Sequence, residues 1–172
     1  MKNIFRLSAL LLCLCFTFQN KVVAQDYKSA VGIRLGSPWA ASYKTFISES
    51  SALEGYVGFR SWFGYSNISL NGAYQVHKDI ESVDGLQWYF GGGGGVELYR
   101  YRNFDEGNTV FKISGYLGLQ YTFADTPISA TVDWVPSFVF GDSLFGINTT
   151  GFRAGYYNLG VRYVLGRQKT QR

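Results

Sequence analysis

The sequence predicts an all-β protein, folded as a single antiparallel up-and-down β-barrel of about eight strands. Apolar and polar residues alternate with a period of two through almost the whole chain after residue 25, as they do in half-buried strands. No stretch there keeps the i, i+3, i+4, i+7 spacing of an amphipathic helix, and groups of turn-forming residues interrupt the alternation repeatedly. Because no linker or strict repeat occurs, residues 25–172 are expected to form one domain.

The elements follow from the alternating segments taken in order. The predicted strands are Ala30 to Leu35, Ala41 to Ile47, Leu53 to Arg60, Ile68 to His77, Leu86 to Tyr99, Val110 to Phe123, Ile128 to Phe140 and Phe152 to Leu165. Turn chemistry separates them, as at Gly36-Ser37-Pro38, Asp84-Gly85 and Asp125-Thr126-Pro127.

The N-terminal residues have the pattern of a secretory signal peptide. A charged start with Lys2 and Arg6 precedes an apolar run over residues 7–18, and Val22 and Ala24 are the small residues that a signal peptidase reads. The apolar run is shorter than the roughly 20 residues that a membrane-spanning helix needs. We therefore expect export, with cleavage after Ala24.

Cleavage would remove both cysteines, Cys13 and Cys15. Each follows a leucine, where a lipobox requires a small residue, so a lipid anchor is not expected. Without disulfides, the mature chain must be held by backbone pairing and packing. Cleavage would also remove three basic residues, which leaves basic and acidic residues nearly balanced and gives no basis for nucleic-acid binding.

When the residues of each predicted strand are sorted by alternate position, they separate into two faces. One face is apolar and bulky: Val31, Ile33, Leu35, Val57, Phe59, Ile68, Leu70, Trp88, Phe90, Phe111, Ile113, Leu117, Leu119, Ile128, Val132, Trp134, Phe138, Leu159, Val161 and Leu165. The other is small, polar or charged and includes Arg34, Lys44, Glu54, Arg60, Glu97, Lys112, Asp133 and Arg162, with Asn71, Gln75, Gln120 and Asn158. Among the charged residues of these segments, only Arg153 falls on the apolar face.

The volume of the side chains decides which face points inward. The interior of an eight-stranded barrel is just wide enough for side chains, so the small and polar face fits inside and the tryptophans do not. The apolar face is then expected to meet lipid. Aromatic residues fall near both rims, as in the girdles of outer-membrane barrels: Tyr74, Trp88, Phe90, Tyr121, Phe123 and Tyr163 at one, and Phe59, Phe111, Phe138, Phe140 and Tyr157 at the other.

With a signal ending in Val23-Ala24-Gln25, this parity pattern and a closing strand from Tyr156 to Leu165, the chain resembles the small outer-membrane barrels of the OmpA/OmpX-like class. The resemblance covers essentially the whole mature chain. It implies a transmembrane β-barrel in the outer membrane of a Gram-negative cell, with outer-membrane lipid as its surroundings.

Three features of the sequence invite a chemical role. The run Gly91 to Gly95 could bind phosphate, but no helix and no lysine with Ser or Thr follow it, so a structural role in a strand is favoured. His77 is the only histidine and is expected to be solvated at the periplasmic rim. With no cysteine in the mature chain, a transition-metal site is not expected.

The inward charges are the third feature. Two carboxylates could act as an acid and base pair, but opposite charges on a narrow interior face favour a packed ionic core. That predicted structural core comprises Arg34, Glu54, Arg60, Glu97, Lys112, Asp133 and Arg162.

The sequence thus favours a non-enzymatic membrane barrel without a cofactor, expected to be a monomer, that displays surface loops for envelope structure or for an extracellular ligand. The predicted loop contacts are Tyr99, Arg100, Tyr101, Arg102, Phe104 and Phe145. Two alternatives stay open: an enzyme that modifies outer-membrane lipid, and a secreted lipocalin-like carrier. The position of His77 argues against the first, and the small polar face argues against the second.

Overall fold

The computed structural model describes residues 27–36, 38–62, 65–101, 107–141 and 150–166. They form eight strands: β1 (Ser29–Leu35), β2 (Trp39–Phe46), β3 (Ser51–Trp62), β4 (Tyr65–Asp79), β5 (Leu86–Tyr101), β6 (Gly107–Thr122), β7 (Ile128–Gly141) and β8 (Gly151–Leu165). The predicted signal peptide and its cleavage site lie outside the described residues. Among the described residues, no helix is long and apolar enough to cross a membrane.

The strands close into one barrel, which confirms the predicted fold class. Each strand pairs antiparallel with the next, and β1 pairs with β8 to complete the wall. We call the end of the barrel that carries residues 47–50, 80–85 and 123–127 the turn end, and the opposite end the loop end. Closure matters physically because it leaves no open sheet edge where the ladder is complete.

The barrel wall has two chemically different faces. Glu54 is 2% exposed, whereas its neighbour Leu53 on the opposite face is 45% exposed. The outward positions carry exposed Leu, Ile, Val and aromatic side chains on every strand, and the inward positions carry buried Ala, Ser, Asn, Gln and charged side chains. The fold therefore exposes its apolar face and buries its polar one, the reverse of a water-soluble barrel.

The glycine run of β5 lies in the wall. Gly91 and Gly93 occupy inward positions, where a Cβ atom would come within 2.1 Å of the Tyr74 carbonyl oxygen and 2.2 Å of the Gly72 carbonyl oxygen. No other residue fits there without moving the neighbouring strand. The run is thus part of the β4–β5–β6 ladder, in which it pairs with both neighbouring strands.

A β-bulge in β8 explains the one exception to the parity rule. The register between β7 and β8 shifts between Val135 and Ser137, and Gly155 has a φ of 109°, a left-handed conformation that glycine adopts readily. One extra residue in β8 exchanges the faces of the residues beyond it. Arg153 therefore pairs with the inward-facing Ser137 and shares its side of the wall.

The wall is not equally tall around the barrel. β1 and β2 have 7 and 8 residues, whereas β3 to β8 have 12 to 16. The last pair between β1 and β8 is Leu35 with Leu159, and the pair nearest the loop end between β2 and β3 is Trp39 with Phe59. β8 and β3 continue beyond these pairs, so the wall is lower above the β1–β2 turn. We call this gap the notch.

Candidate functional site

The centre of the barrel is filled by an ionic cluster of Arg34, Glu54, Asp133 and Arg162, contributed by β1, β3, β7 and β8. Arg34 donates from Nη1 to Glu54 Oε1 at 3.1 Å and from Nη2 to both oxygens of Asp133, at 2.8 and 2.9 Å. Arg162 Nη2 also binds Glu54 Oε1. Each of the four residues is no more than 2% exposed. The two guanidinium groups and two carboxylates balance in charge, which is the condition under which buried ions are tolerated.

Neutral side chains complete the hydrogen bonding of both carboxylates. Gln75 Nε2 donates to Glu54 Oε2 at 2.8 Å, the Tyr89 hydroxyl donates to Asp133 Oδ2 at 2.6 Å, and Asn158 Nδ2 donates to Asp133 Oδ1 at 3.2 Å. The lone pairs of the two carboxylates are thus shared among several donors. A general base must lie within hydrogen-bond reach of the proton that it removes. These two carboxylates are buried and already bound to donors of the barrel, so they are poorly placed for that role.

The half of the lumen toward the turn end holds the buried side chain of Lys44 among aromatic rings. The Nζ atom of Lys44 lies 4.7 Å from the centre of the Tyr89 ring and donates to Gln120 Oε1 at 3.1 Å. Tyr27 and Phe46 pack edge to face below it, with ring centres 5.2 Å apart. Lys44 is fully buried. The cation–π contact and the amide oxygen compensate in part for its lost hydration.

The prediction for His77 is wrong. Its side chain is not solvated at a rim but 3% exposed inside the barrel, stacked on Tyr89 with ring centres 4.8 Å apart and edge-on to Phe46 at 5.0 Å. The reason is parity: His77 shares the inward face of β4 with Ala73 and Gln75, and β4 continues beyond it to Asp79. Neither ring nitrogen has a hydrogen-bond partner among the described residues. No described serine or carboxylate is therefore placed to form a catalytic triad with it.

Toward the loop end, a second ion pair lies partly open to solvent. Lys112 Nζ donates to Glu97 Oε1 at 2.6 Å, and the side chains are 14% and 12% exposed. The Tyr99 hydroxyl donates to Glu97 Oε2 at 2.6 Å, and Asn67 Nδ2 donates to the same oxygen at 3.3 Å. This cluster gives the loop end of the lumen a polar lining.

Two predicted site residues have a different environment from the one expected. Tyr99 was predicted to be a surface-loop contact, but its hydroxyl is bound to Glu97 within the lumen because odd-numbered positions of β5 face inward. Arg60 was predicted to belong to the packed core, but it is exposed because it lies beyond the last β2–β3 pair. Arg100 is exposed at the loop end, Tyr101 is the last residue of β5, and Arg102, Phe104 and Phe145 lie outside the described residues.

A cavity of about 30 Å³ lies between the ionic cluster and the loop end. Its walls are formed by Arg34, Pro38, Ala40, Tyr56, Asn71, Lys112, Val135, Ser137 and Asn158. Asn71 is 9% exposed, and neither its amide nitrogen nor its amide oxygen has a partner among the described residues. A space of this size accommodates one or two water molecules or one small polar group. The sequence placed Asn71 on the inward face but gave no sign of the cavity.

The described residues hold no group of three or more His, Cys, Asp or Glu side chains that could bind a metal ion. Among the described residues, the centre of the lumen is packed with hydrogen-bonded carboxylates and the buried His77 ring. A small cavity beside the unsatisfied Asn71 amide lies next to this packed centre.

Comparison with known proteins agrees with this architecture. No protein-family model matches the chain, and no curated protein matches its sequence. The fold is similar to the crystal structure of Neisserial surface protein A (NspA), with a TM-score of 0.52 and 13% sequence identity over 80% of this chain and 93% of the other. At this level of identity the similarity concerns the fold alone, that of a closed antiparallel β-barrel.

Proposed function

We propose that residues 25–172 form a non-enzymatic integral barrel of a Gram-negative outer membrane, of the same general kind as the OmpA/OmpX-like proteins, after a signal peptide over residues 1–24 has directed export. The observation that carries this proposal is the inverted wall. Its apolar side chains are exposed on the outside, with Leu117 at 50%, while four charged residues are buried at its centre. Exposure of these apolar side chains is unfavourable in water and favourable in the apolar core of a bilayer. A closed barrel can also enter the bilayer because its backbone groups are hydrogen-bonded to one another.

We further propose that the loop end of the barrel faces the exterior and that the turn end faces the periplasm, since outer-membrane barrels have short periplasmic turns. The loop ends of the long strands β3 to β8 would then lie on the exterior side of the membrane, where the predicted surface loops contribute to envelope structure or contact an extracellular ligand. Rigid scaffolds that present variable loops commonly work in this way. Outer-membrane lipid is the partner of the outer face, and the barrel is proposed to act as a monomer.

The two alternatives are less well supported. A lipid-modifying enzyme would need a reactive group that its substrate can reach, and His77 is buried between aromatic rings. A lipocalin-like carrier would need an apolar interior cavity, and the centre of this barrel is occupied by Arg34, Glu54, Asp133 and Arg162.

Fractionation of cells that express the full chain tests the proposal. The mature protein is expected to sediment with the outer membrane, to resist extraction by high salt and to require detergent for solubilisation. A matched soluble periplasmic protein serves as the control for lysis. Recovery of the mature chain as a soluble monomer from the periplasm or medium would reverse the assigned facing of the wall.

A further inference from the structure

The outer face of the wall carries an apolar groove in its half toward the turn end. The volume of the groove is about 300 Å³, at the lower end of the range of small-ligand sites, which is about 300 to 1,000 Å³. It crosses β5 to β8 and is lined mainly by Trp88, Leu117, Leu119, Val132, Trp134 and Tyr157. These side chains belong to the outward face, and they offer an apolar surface that suits an acyl chain.

A lysine stands at one edge of this groove. Lys78 pairs with Trp88 across the β4–β5 ladder, and its Nζ atom lies 5.7 Å from the centre of the Trp88 ring. Lys78 forms no ion pair with any described residue, so the face of this ring is the contact of its ammonium group. Tryptophan and lysine side chains at the end of an apolar band are typical of the headgroup level of a bilayer.

Two free carboxylates lie beside this lysine. β4 ends at Asp79, and the turn over residues 80–85 is held by its own backbone hydrogen bonds. Glu81 and Asp84 are exposed in that turn, and neither forms an ion pair within the described part of the chain. Asp79 is not free, because it accepts a hydrogen bond from Gln87 Nε2 at 2.7 Å. The edge of the groove therefore carries a cation with two unpaired carboxylates beside it.

This arrangement of charges selects among headgroups. An anionic headgroup would be attracted by Lys78 but repelled by Glu81, by Asp84 and by Asp125 of the neighbouring turn. Every residue of the two turns, 80–85 and 123–127, is described, so their carboxylates are all counted here. A zwitterion that carries a phosphate next to an ammonium group matches both signs at once.

We propose that this groove binds a phosphatidylethanolamine of the periplasmic leaflet, with one acyl chain in the groove, its phosphate on Lys78 and its ammonium group on Glu81 and Asp84. A primary ammonium group donates hydrogen bonds to carboxylates, as a lysine side chain does. The proposal rests on the outer-membrane location and the orientation proposed above, since these place the groove in a bilayer and its charged edge on the periplasmic side.

The direct test uses the mature chain, folded in a non-ionic detergent and labelled with ¹⁵N, with dihexanoyl phosphatidylethanolamine as the probe. Saturable chemical-shift changes are expected at the Trp88 and Trp134 indoles, and none at the Trp39 indole of β2. Dihexanoyl phosphatidylcholine and dihexanoyl phosphatidylglycerol carry the same chains, and each is expected to bind at least about threefold more weakly.

These comparisons can each overturn the proposal. Equal affinity for the phosphatidylcholine would remove the role of the carboxylates. Equal or higher affinity for the phosphatidylglycerol would make this a site for anionic lipid. Equal shifts at the Trp39 indole would mean that the probe partitions over the whole apolar wall.

Matched variants locate the headgroup. Lys78→Gln is expected to weaken phosphatidylethanolamine about threefold, and Lys28→Gln, at an exposed lysine of the turn end beside β1, is the control. The double variant Glu81→Gln and Asp84→Asn is expected to remove the preference over phosphatidylcholine, with Glu49→Gln in the turn over residues 47–50 as the control. An equal effect in either control would mean general charge attraction and would overturn the proposal.

A further variant tests the groove separately. Val132→Phe adds bulk at an exposed outward position of the groove, so the barrel should fold, as its circular dichroism spectrum will show. It is expected to weaken all three phospholipids, whereas Val161→Phe, at an exposed outward position outside the groove, should weaken none. Unchanged affinities with Val132→Phe would overturn the assigned position of the chain. Because these measurements are made in detergent, their failure is distinguishable from a failure of the proposed location, which fractionation tests alone.

Discussion

At the scale of single residues, the barrel depends on pairing of charges that water does not reach. Glu54 accepts hydrogen bonds from Arg34, Arg162 and Gln75, and Asp133 accepts from Arg34, Tyr89 and Asn158. A buried ion pair contributes little net stability compared with apolar packing, but removal of one partner leaves an uncompensated charge. Loss of any one of the four ions is therefore expected to cost more than the intact cluster contributes.

The first prediction concerns Glu54→Gln. This variant keeps the size of the side chain but leaves two buried guanidinium groups facing a single remaining carboxylate, so we expect it to lower the free energy of unfolding by about 3 to 5 kcal/mol. Glu97→Gln is the control, because Glu97 pairs with one lysine in a partly solvated position. Denaturant unfolding in lipid vesicles gives the comparison. An equal or larger loss for Glu97→Gln would mean that the central cluster is not the electrostatic core.

The second prediction concerns His77, whose burial changes the expectation from its sequence. His77→Ala would remove a ring that packs between Phe46 and Tyr89, and it should cost about 1 to 3 kcal/mol, in the usual range for a buried side chain. His77→Phe should be close to wild type, because it keeps the stacking and removes two ring nitrogens that lack partners among the described residues. The same vesicle assay applies. A silent His77→Ala would show that the ring is solvated after all.

At the scale of strands, the two faces of the wall respond to different rules. The third prediction is that Leu117→Arg, on the outward face of β6, costs about 2 to 4 kcal/mol in bilayers, because it places a charge near the middle of the apolar band. Thr109→Arg is the control on the same face of the same strand near its loop end, where the cost should fall to about 0 to 1 kcal/mol. Equal stability of the two variants would contradict the assignment of this face to lipid.

The fourth prediction concerns the bulge of β8. Gly155→Ala should destabilise by about 1 to 3 kcal/mol, because an L-residue at this φ is strained and its Cβ would lie 2.7 Å from Trp134 Nε1. That indole nitrogen also donates to the Ala154 carbonyl at 2.5 Å, so the contact holds the bulge. Gly151→Ala, in the same strand with no neighbour within 4 Å of the added Cβ, is the control and should change stability by less than about 0.5 kcal/mol. Similar effects at both glycines would argue against the bulge.

At the scale of the whole molecule, the ionic cluster and the aromatic layer toward the turn end fill the described part of the lumen. The interior of an eight-stranded barrel is about wide enough for its side chains, and large aqueous channels need roughly twice as many strands. We therefore expect a lumen closed to solutes of the size of a sugar. The fifth prediction is that the purified protein does not make liposomes permeable to a disaccharide. Efflux of an enclosed labelled sugar is the measurement, with protein-free liposomes as the control. Efflux that rises in proportion to the amount of folded protein would contradict a closed lumen.

The alternation of the sequence was sufficient to predict the eight strands, their antiparallel order and the face on which most side chains lie. Alternation is a local property, since successive side chains of a strand point to opposite sides whatever the strand pairs with. To predict which face points into the barrel, only the volumes of the side chains were needed. His77 could also have been placed inside by parity alone, because it shares the face of Gln75.

Tertiary structure decided which inward residues meet and where the wall is open. The contact between Arg34 and Asp133 joins residues 99 positions apart, and it depends on the register of every ladder between β1 and β7. The side assigned to Arg153 depends on a bulge in β8, and the exposure of Arg60 depends on the short β1–β2 hairpin beside it. These features arise from pairing between distant strands, which a period-two pattern does not encode because the same pattern is compatible with many registers.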